Sequence, residues 1–216
     1  MNEEASIGNV IDLIKDTMRN TRYGFEILVI DTNSKDRTRE IAREKGARVI
    51  EEPRRGYGRA YKTGFERASG EIIATLDADC TYPAEDIPRL SDQLFAEELD
   101  FITTNRMAQM EEGAMSTMHR FGNWVLNVTA KVLFSVSFKD SQSGMWVFRK
   151  SILPKINLES DGMAMSEELK AEAFKKVRSA EVPISYRPRV GEVKLSSWKD
   201  GLGNLRFLFR KRFRAT

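Results

Sequence analysis

Apolar segments of two kinds alternate along the first half of the chain, and this alternation constrains the fold more than any other feature. Short runs rich in Ile, Val, Leu and Phe, typical of buried strands, are separated by longer segments whose apolar residues recur with a helical period. The predicted strands cover 25–31, 47–52, 71–77 and 99–105, and the predicted helices cover 3–19, 34–46, 59–69 and 83–94. We therefore predict an α/β fold with a mostly parallel sheet and helices on both faces.

The second half of the chain has a looser pattern. It predicts helices over 114–136 and 164–176, strands over 143–149 and 180–187, and a basic helix at the end. No internal repeat or linker interrupts the pattern, and 216 residues are enough for one sizeable core. We predict one domain over residues 1–196, followed by a basic amphipathic helix over 197–216.

The amino-acid composition limits the class of protein and the cellular compartment that fit this chain. The chain has 41% hydrophobic and 31% charged residues, which is typical of a soluble globular protein, and its 35 basic and 32 acidic residues do not indicate a nucleic-acid partner. Its single cysteine, Cys80, excludes an internal disulfide and fits a reducing compartment. The most apolar long stretch, 124–138, contains Asn127 and Lys131 and is short for a membrane span. We expect a cytoplasmic protein that is soluble or peripheral at the membrane surface.

Two aspartates, Asp77 and Asp79, follow the third predicted strand. In a strand, residues two apart project from the same face, and open α/β sheets bind ligands at the carboxyl ends of their strands. Two like charges placed there favour a divalent cation with oxygen ligands. The alternative is a solvated loop that carries two acids by chance, and the motif alone is too short to decide between them.

Five sequence motifs, two of which flank the motif with Asp77 and Asp79 on each side, help to interpret this pair of aspartates. They read DTNSKDRT (31–38), GYGRAYKTG (56–64), DADCTYP (77–83), DSQSGMWVFRK (140–150) and EVPISYRPRVGEVKL (181–195). The glycines of the second motif would let a loop approach phosphate, although Tyr61 stands where a dinucleotide fingerprint has its third glycine. Together the motifs resemble the family 2 glycosyltransferases of GT-A fold, and within them the dolichyl-phosphate mannose and glucose synthases.

The resemblance implies a metal-dependent, inverting transfer of a sugar from a nucleotide-diphosphate sugar to a polyprenyl (dolichyl) phosphate at the cytoplasmic membrane face. Asp77 and Asp79 would hold Mg²⁺ or Mn²⁺. The implied donor-binding residues are Glu3, Asp31, Lys62, Asp77, Asp79, Arg189 and Lys194, the implied acceptor-binding residues are Arg106, Arg120, Ser143 and Arg189, and the implied catalytic residues are Asp79, Asp140 and Arg120. Asp140 is either a base for a hydroxyl acceptor or a carboxylate that orients the acceptor loop.

Departures from the family pattern leave alternatives open. The chain begins at MNEEAS, where family members have an apolar strand before this turn, so we expect the first strand to be missing and the native product to be longer at its amino end. Thr32 and Asn33 replace an acid–glycine pair, and Thr81 replaces a glutamine. The alternative functions are a glycosyltransferase acting on a saccharide hydroxyl and a non-catalytic nucleotide-sugar-binding domain.

The carboxyl-terminal segment has an apolar stripe with a helical period, surrounded by basic residues. The stripe consists of Trp198, Leu202, Leu205, Phe209 and Phe213, and the basic residues are Arg206, Arg210, Lys211, Arg212 and Arg214. This pattern predicts either a helix whose stripe packs on the sheet or an interfacial helix on an anionic membrane.

Overall fold

A computed structural model of the protein describes residues 1–191 and 197–214. The helices are α1 (Ile7–Met18), α2 (Thr38–Glu44), α3 (Tyr57–Arg67), α4 (Ile87–Ala96), α5 (Thr117–Phe134), α6 (Met165–Lys176) and α7 (Ser197–Arg214). The strands are β1 (Leu28–Asp31), β2 (Arg48–Glu51), β3 (Ile72–Ala74), β4 (Phe101–Met110), β5 (Trp146–Arg149) and β6 (Ser179–Tyr186). Short 3₁₀ turns cover Ala84–Asp86 and Lys150–Lys155. The predicted alternation of strands and helices is confirmed.

The strands form two sheets. β1 and β2 pair in parallel, and the second sheet has the order β3-β5-β4-β6. In that sheet β4 and β6 are parallel, whereas β5 runs antiparallel to both β3 and β4. The sheet is therefore mixed rather than mostly parallel, because hydrophobic periodicity records which faces are buried and not the direction of a strand.

Helices cover both faces of the four-stranded sheet, as predicted. Ile102 of β4 and Val147 of β5 face a core built with α4, whereas Phe101 and Phe148 of the same strands face a core built with α3 and α6. All four side chains are fully buried. Burying a side chain of this size contributes about 1.5–3 kcal/mol, so this central pair of strands is a principal source of stability.

The terminal helix α7 packs on α5, but not through the predicted stripe. Its packed face contains Asn204, Phe207 and Leu208, while Leu202 and Phe213 on the predicted stripe are exposed. The helix does pack on the body of the protein, as one of the two interpretations expects, but of the stripe residues with a described side chain only Leu205 is partly buried, and the side chain of Trp198 lies outside the described part. A helix of this length has several possible apolar faces, and only the position of α5 decides which one is buried. None of the helices in the described parts of the chain is both long enough and apolar enough to span a bilayer.

Candidate active site

The two aspartates lie in the turn that follows β3. The strand ends at Ala74, and Asp79 lies within a turn whose next residue, Cys80, has a positive φ of 63°. The backbone N–H and the hydroxyl of Thr81 donate to Asp79 Oδ1 at 3.1 and 2.6 Å. The prediction that both aspartates project from one face of a strand is therefore wrong in its geometry. The orientation of Asp79 is set by local hydrogen bonds of a turn instead.

Asp77 is surrounded by tyrosines that sequence reasoning missed. The hydroxyl of Tyr61 donates to Asp77 Oδ1 at 3.1 Å. A Cβ atom on Gly144 would lie 2.7 Å from Tyr57 Oη and 3.6 Å from both carboxylate oxygens of Asp77, so only glycine fits between them. The N–H of Gly144 donates to Tyr82 Oη at 2.7 Å. The sequence contains one indication of the contact between Tyr61 and Asp77: Tyr61 occupies the position where a dinucleotide fingerprint has its third glycine.

The electrostatics of the pair suit a divalent cation. Burial and the neighbouring Asp79 carboxylate raise the pKa of Asp77 to about 6. Two carboxylates that repel one another in this way gain from a bound cation, and oxygen ligands are those that Mg²⁺ and Mn²⁺ prefer. No group of three or more acidic, histidine or cysteine side chains suitable for a metal occurs among the described residues. An ion on Asp77 and Asp79 would therefore keep coordination positions open for oxygens of a ligand or water.

Arg189 joins the aspartate turn to the start of the chain. Its guanidinium lies 3.1 Å from Asp79 Oδ2 and donates to Glu3 Oε1 at 3.0 Å. The N–H of Val190 donates to the carbonyl oxygen of Asp79 at 2.9 Å. The segment after β6 is thereby attached to the turn, which brings three of the predicted donor-binding residues together. Lys194, another predicted donor-binding residue, lies outside the described residues.

Arg106 and Asp140 form a buried bidentate ion pair. Arg106 Nε donates to Asp140 Oδ2 at 2.8 Å, and Arg106 Nη2 donates to Oδ1 at 2.9 Å. Burial by itself would raise the pKa of Asp140, but the charge and hydrogen bonds of Arg106 lower it to about 2. A general base works best with a pKa near the working pH and with an accessible oxygen. Of the two predicted roles of Asp140, the geometry therefore favours orientation of Arg106 and of the acceptor loop, and it argues against a role as a general base.

The loop 140–144 is held in place by buried polar contacts from side chains of α6. Lys170 Nζ donates to the carbonyl oxygen of Asp140 at 2.8 Å. Ser166 Oγ donates to the carbonyl oxygens of Ser141 and Ser143 at 3.2 and 3.0 Å. The Ser143 side chain, predicted to bind the acceptor, is fully buried with its hydroxyl 2.6 Å from Thr104 Oγ1. Its hydroxyl therefore contributes to the internal support of the loop.

Sequence reasoning also missed a buried pair of titratable groups on α6. Glu167 and Lys170 have no solvent exposure. Burial raises the pKa of Glu167 to about 8 and lowers the pKa of Lys170 to about 7, and each charge moderates the shift of the other. Neither carboxylate oxygen of Glu167 has a hydrogen-bond partner with good geometry. In the sequence these residues belong to an ordinary run of charges, SEELK (166–170), that gives no sign of burial.

The remaining predicted residues lie outside this cluster. Asp31, at the end of β1, is buried and accepts hydrogen bonds from the backbone N–H and the hydroxyl of Ser34. Lys62 pairs with Asp161 at 2.5 Å. Arg120 is exposed near the start of α5. The ligand-binding roles of these three residues stay predictions.

The glycines of the second motif make room for protein rather than for a ligand. A Cβ atom on Gly58 would lie 2.5 Å from the carbonyl oxygen of Ser160, and one on Gly56 would lie 2.3 Å from that of Asp161. The prediction that these glycines leave a loop open to phosphate is therefore wrong in this structure. Segment 160–162 packs directly against the start of α3.

Comparison with known proteins places the chain in a family. Residues 1–156 match the family model for glycosyl transferase family 2. A low-salt glycan biosynthesis hexosyltransferase of Haloferax volcanii is 37% identical over 211 residues, which is 96% of this chain and 51% of that protein. A dolichyl-phosphate hexose transferase of the same organism is 35% identical over 93% of this chain and 85% of that protein. The chain thus spans about half the length of the first relative.

Solved structures support the same assignment at the level of the fold. Glucosyl-3-phosphoglycerate synthase from Mycobacterium tuberculosis, crystallised with Mn²⁺, uridine diphosphate and glucosyl-3-phosphoglycerate, has a TM-score of 0.75. It is 20% identical, and the match covers 98% of this chain and 76% of that one. The predicted GT-A fold is confirmed by this likeness. The chain belongs to glycosyl transferase family 2.

Proposed function

We propose that this chain is an inverting, metal-dependent hexosyltransferase that moves a sugar from a nucleotide-diphosphate sugar to a polyprenyl phosphate at the cytoplasmic face of a membrane. The observation that carries the proposal is the arrangement of two mutually repelling carboxylates, Asp77 and Asp79, with the guanidinium groups of Arg106 and Arg189, which are held by ion pairs. Carboxylates suit a cation on a diphosphate, and guanidinium groups suit phosphate oxygens.

The donor side is built around the aspartates. Asp77 and Asp79 would hold Mg²⁺ or Mn²⁺, which, when bound, neutralises charge that develops on the leaving diphosphate. A fold relative was crystallised with Mn²⁺ and uridine diphosphate, which supports this type of donor site. Arg189, already beside Asp79, is in a position to contact the same diphosphate once the cation takes over the carboxylate. Glu3, Asp31, Lys62 and Lys194 complete the proposed donor-binding set.

The acceptor side favours a phosphate over a hydroxyl. A phosphate monoester is largely dianionic near neutral pH, since its second pKa is about 6, and it needs charge relief more than a base. Asp140 is ionised with both oxygens engaged, which leaves it poorly suited to accept a proton. Arg106 is held rigidly by that carboxylate through Nε and one N–H of Nη2, so Nη1 and the second N–H of Nη2 are the donors it would offer to a phosphate. The names of two relatives, a dolichyl-phosphate hexose transferase and an undecaprenyl-phosphate transferase, support the same class of acceptor.

The proposed reaction is a direct displacement. An oxygen of the acceptor phosphate forms a bond to the anomeric carbon while the bond from that carbon to the diphosphate oxygen breaks. The bonding electron pair leaves with the nucleoside diphosphate, and the configuration at the anomeric carbon inverts. No proton transfer is needed, so the protein's contribution is to orient both substrates and stabilise charge. Arg120 and Ser143 remain proposed acceptor contacts, with Ser143 acting through its loop.

An exposed apolar surface on α5 and α7 supports contact with a membrane. On α5, Phe121, Trp124 and Val132 are at least 60% exposed, and on the neighbouring α7, Leu202 and Phe213 are at least 67% exposed. Exposed arginines accompany this surface on α7, at positions 206, 210, 212 and 214. Each basic residue near an anionic surface contributes about 1 kcal/mol, so such a face could hold the enzyme beside a lipid acceptor.

Vesicle flotation tests the membrane contact. The wild type should float with vesicles that contain anionic lipid, and attachment should weaken with salt. A variant with Trp124→Ser and Phe213→Ser should lose attachment, whereas Phe25→Ser, which removes an aromatic group that is 46% exposed elsewhere on the protein, should not. Equal flotation of all three proteins would contradict this surface as the docking site.

Release of nucleoside diphosphate tests the catalytic proposal. A panel of nucleotide sugars should yield a donor whose turnover needs polyprenyl phosphate and Mg²⁺ or Mn²⁺. Asp79→Asn, which removes one charge without changing shape, should lose roughly 2–4 kcal/mol of transition-state stabilisation. Asp16→Asn, at an exposed carboxylate of α1, is the matched control. Undiminished turnover in Asp79→Asn, or in excess chelator, would contradict the metal assignment.

A further inference from the structure

We propose that Lys211, near the end of α7, is a positioning residue for the aspartate site. Lys211 is only 9% exposed, although the helix around it is strongly basic. Its ammonium group donates to Glu168 Oε1 at 2.6 Å and to the carbonyl oxygen of Asn157 at 2.7 Å, and lies 3.6 Å from Glu172 Oε1. A buried lysine with several oxygen partners has a fixed geometry, in contrast to a lysine that reaches into solvent.

The first link from Lys211 leads to the segment before α6. Glu168 has no solvent exposure. Its Oε1 accepts the N–H of Glu159 and its Oε2 accepts the N–H of Ser160, both at 2.9 Å. Lys211 and these two amides therefore share one carboxylate. Removing the lysine leaves a buried negative charge with less compensation and frees the carbonyl oxygen of Asn157, so the whole turn 157–160 loses its fixed position.

The second link leads from this turn to the start of α3. The N–H of Arg59 donates to the carbonyl oxygen of Asp161 at 3.1 Å, and the N–H of Gly58 donates to that of Gly162 at 3.2 Å. These amides are among the groups at a helix start that have no partner within the helix. The carboxylate of Asp161 also pairs with Lys62 one turn further along. Segment 160–162 therefore holds the first two turns of α3 in place.

The third link leads from α3 to the proposed metal site. Tyr61, in the second turn of α3, donates its hydroxyl to Asp77 at 3.1 Å, and Tyr57, in the first turn, lies against Gly144 beside the same carboxylate. A continuous set of contacts thus runs from Lys211 through Glu168 and segment 159–162 to Asp77. The helix proposed to meet the membrane has, on its opposite face, a contact that fixes the donor side of the site.

Amide hydrogen exchange tests the path without any ligand. Lys211→Met should accelerate exchange at Glu159, Ser160, Gly58 and Arg59 by about tenfold or more, because their acceptors lose a fixed position. Exchange in the central strand β4 should stay unchanged, which also checks that the variant is folded. Lys211→Arg should largely restore protection, and Arg214→Met, at an exposed position of the same helix, should match the wild type.

A lysine that only anchors α7 would not alter exchange at Gly58 and Arg59. Equal exchange of those two amides in the wild type and in Lys211→Met would therefore overturn the proposal. If Lys211→Met does not fold, Lys211→Gln removes the charge beside Glu168 but keeps a donor, and it should accelerate exchange at the same amides to a smaller extent; no acceleration would overturn the proposal.

The catalytic consequence rests on the proposed function. Lys211→Met should weaken Mn²⁺ binding, followed by electron paramagnetic resonance of the free ion, by about threefold to tenfold. It should also raise KM for the nucleotide sugar more than it lowers kcat, in detergent without vesicles. Unchanged Mn²⁺ affinity in a variant with accelerated exchange would overturn the link from α3 to Asp77. A wild type that binds no Mn²⁺ would contradict the proposed function, while the exchange result would still decide the path to α3.

Discussion

Replacing Glu167 with glutamine should change how the stability of the protein depends on pH. The Glu167 carboxyl group is fully buried, and burial raises its pKa from 4.5 to about 8. Between these two values the folded protein binds a proton that the unfolded chain releases. The stability of the folded state is therefore lost progressively as pH rises from about 4.5 to about 8. Glutamine has nearly the same shape and no such proton, so its variant lacks this loss.

The magnitude follows from the difference between the two pKa values. One pKa unit corresponds to about 1.4 kcal/mol, so the loss approaches roughly 5 kcal/mol above pH 8, and about 3 kcal/mol of it is present at pH 7. Lys170 acts in the opposite direction and at higher pH. Burial lowers its pKa to about 7, so stability rises as pH increases from about 7 towards the ordinary lysine value. Below about pH 7 the difference between wild type and Glu167→Gln reports mainly the glutamate, because the Lys170 contribution begins above that pH and Glu167 is the weakest of the named causes of the Lys170 shift.

The assay is urea unfolding of both proteins at several pH values from 4.5 to 8.5, followed by circular dichroism. Glu167→Gln should gain stability relative to the wild type as pH rises, by a few kcal/mol between the two ends of this range. Glu172→Gln, at a mostly buried carboxylate of the same helix whose pKa is lowered, should differ from the wild type by an amount that stays nearly constant across this range, because Glu172 is ionised in both the folded and the unfolded state above about pH 5. A wild type and a Glu167→Gln variant whose stabilities run parallel across this range would refute the reasoning.

Three further substitutions test the site itself. Asp140→Asn removes the charge that compensates a buried guanidinium, so unfolding in urea should show a loss of about 3–5 kcal/mol; an unchanged midpoint would contradict the ion pair. Gly144→Ala places a methyl group 2.7 Å from Tyr57 Oη, so turnover should fall at least tenfold, and a fully active variant would contradict the close packing. Tyr61→Phe removes a hydrogen bond that lowers the pKa of Asp77, so a proton competes more strongly with Mn²⁺ in the variant. Calorimetry should show that the variant binds Mn²⁺ more weakly than the wild type, with a larger difference at pH 6.5 than at pH 8. Equal affinities of the variant and the wild type at both pH values would contradict the contact.

Local sequence patterns predicted the helices and strands well, because the formation of each one depends mainly on residues that are close together in the sequence. The long helix predicted over 114–136 is α5, Thr117–Phe134, and its N-cap Ser116 accepts the N–H of His119 at 3.3 Å. The family resemblance is confirmed, since its motifs are also local in sequence. One predicted boundary is wrong: the helix expected over 34–46 begins only at Thr38, because the Ser34 hydroxyl donates to Asp31 in the turn before it.

Features that depend on distant neighbours were not predictable from the same patterns. The antiparallel direction of β5 depends on the strands with which it pairs. The hydrogen bond between Tyr61 and Asp77 joins two motifs that are separate in the sequence. The charged run on α6 is buried on most of its circumference because the sheet, α5 and the loop 140–144 surround it. A charged helix with a solvated face and one that is fully enclosed have the same local sequence. Only tertiary contacts separate them.

Mass spectrometry of the lipid product tests the central claim most directly. The wild type is incubated with the donor found in the screen, Mn²⁺, and either a polyprenyl phosphate or the matching prenol. We expect a product whose mass equals the polyprenyl phosphate plus one hexosyl residue, formed with one equivalent of nucleoside diphosphate, and no product from the prenol. Transfer to the prenol at an equal rate, or transfer only to a saccharide hydroxyl, would contradict the proposed acceptor and the role assigned to Arg106.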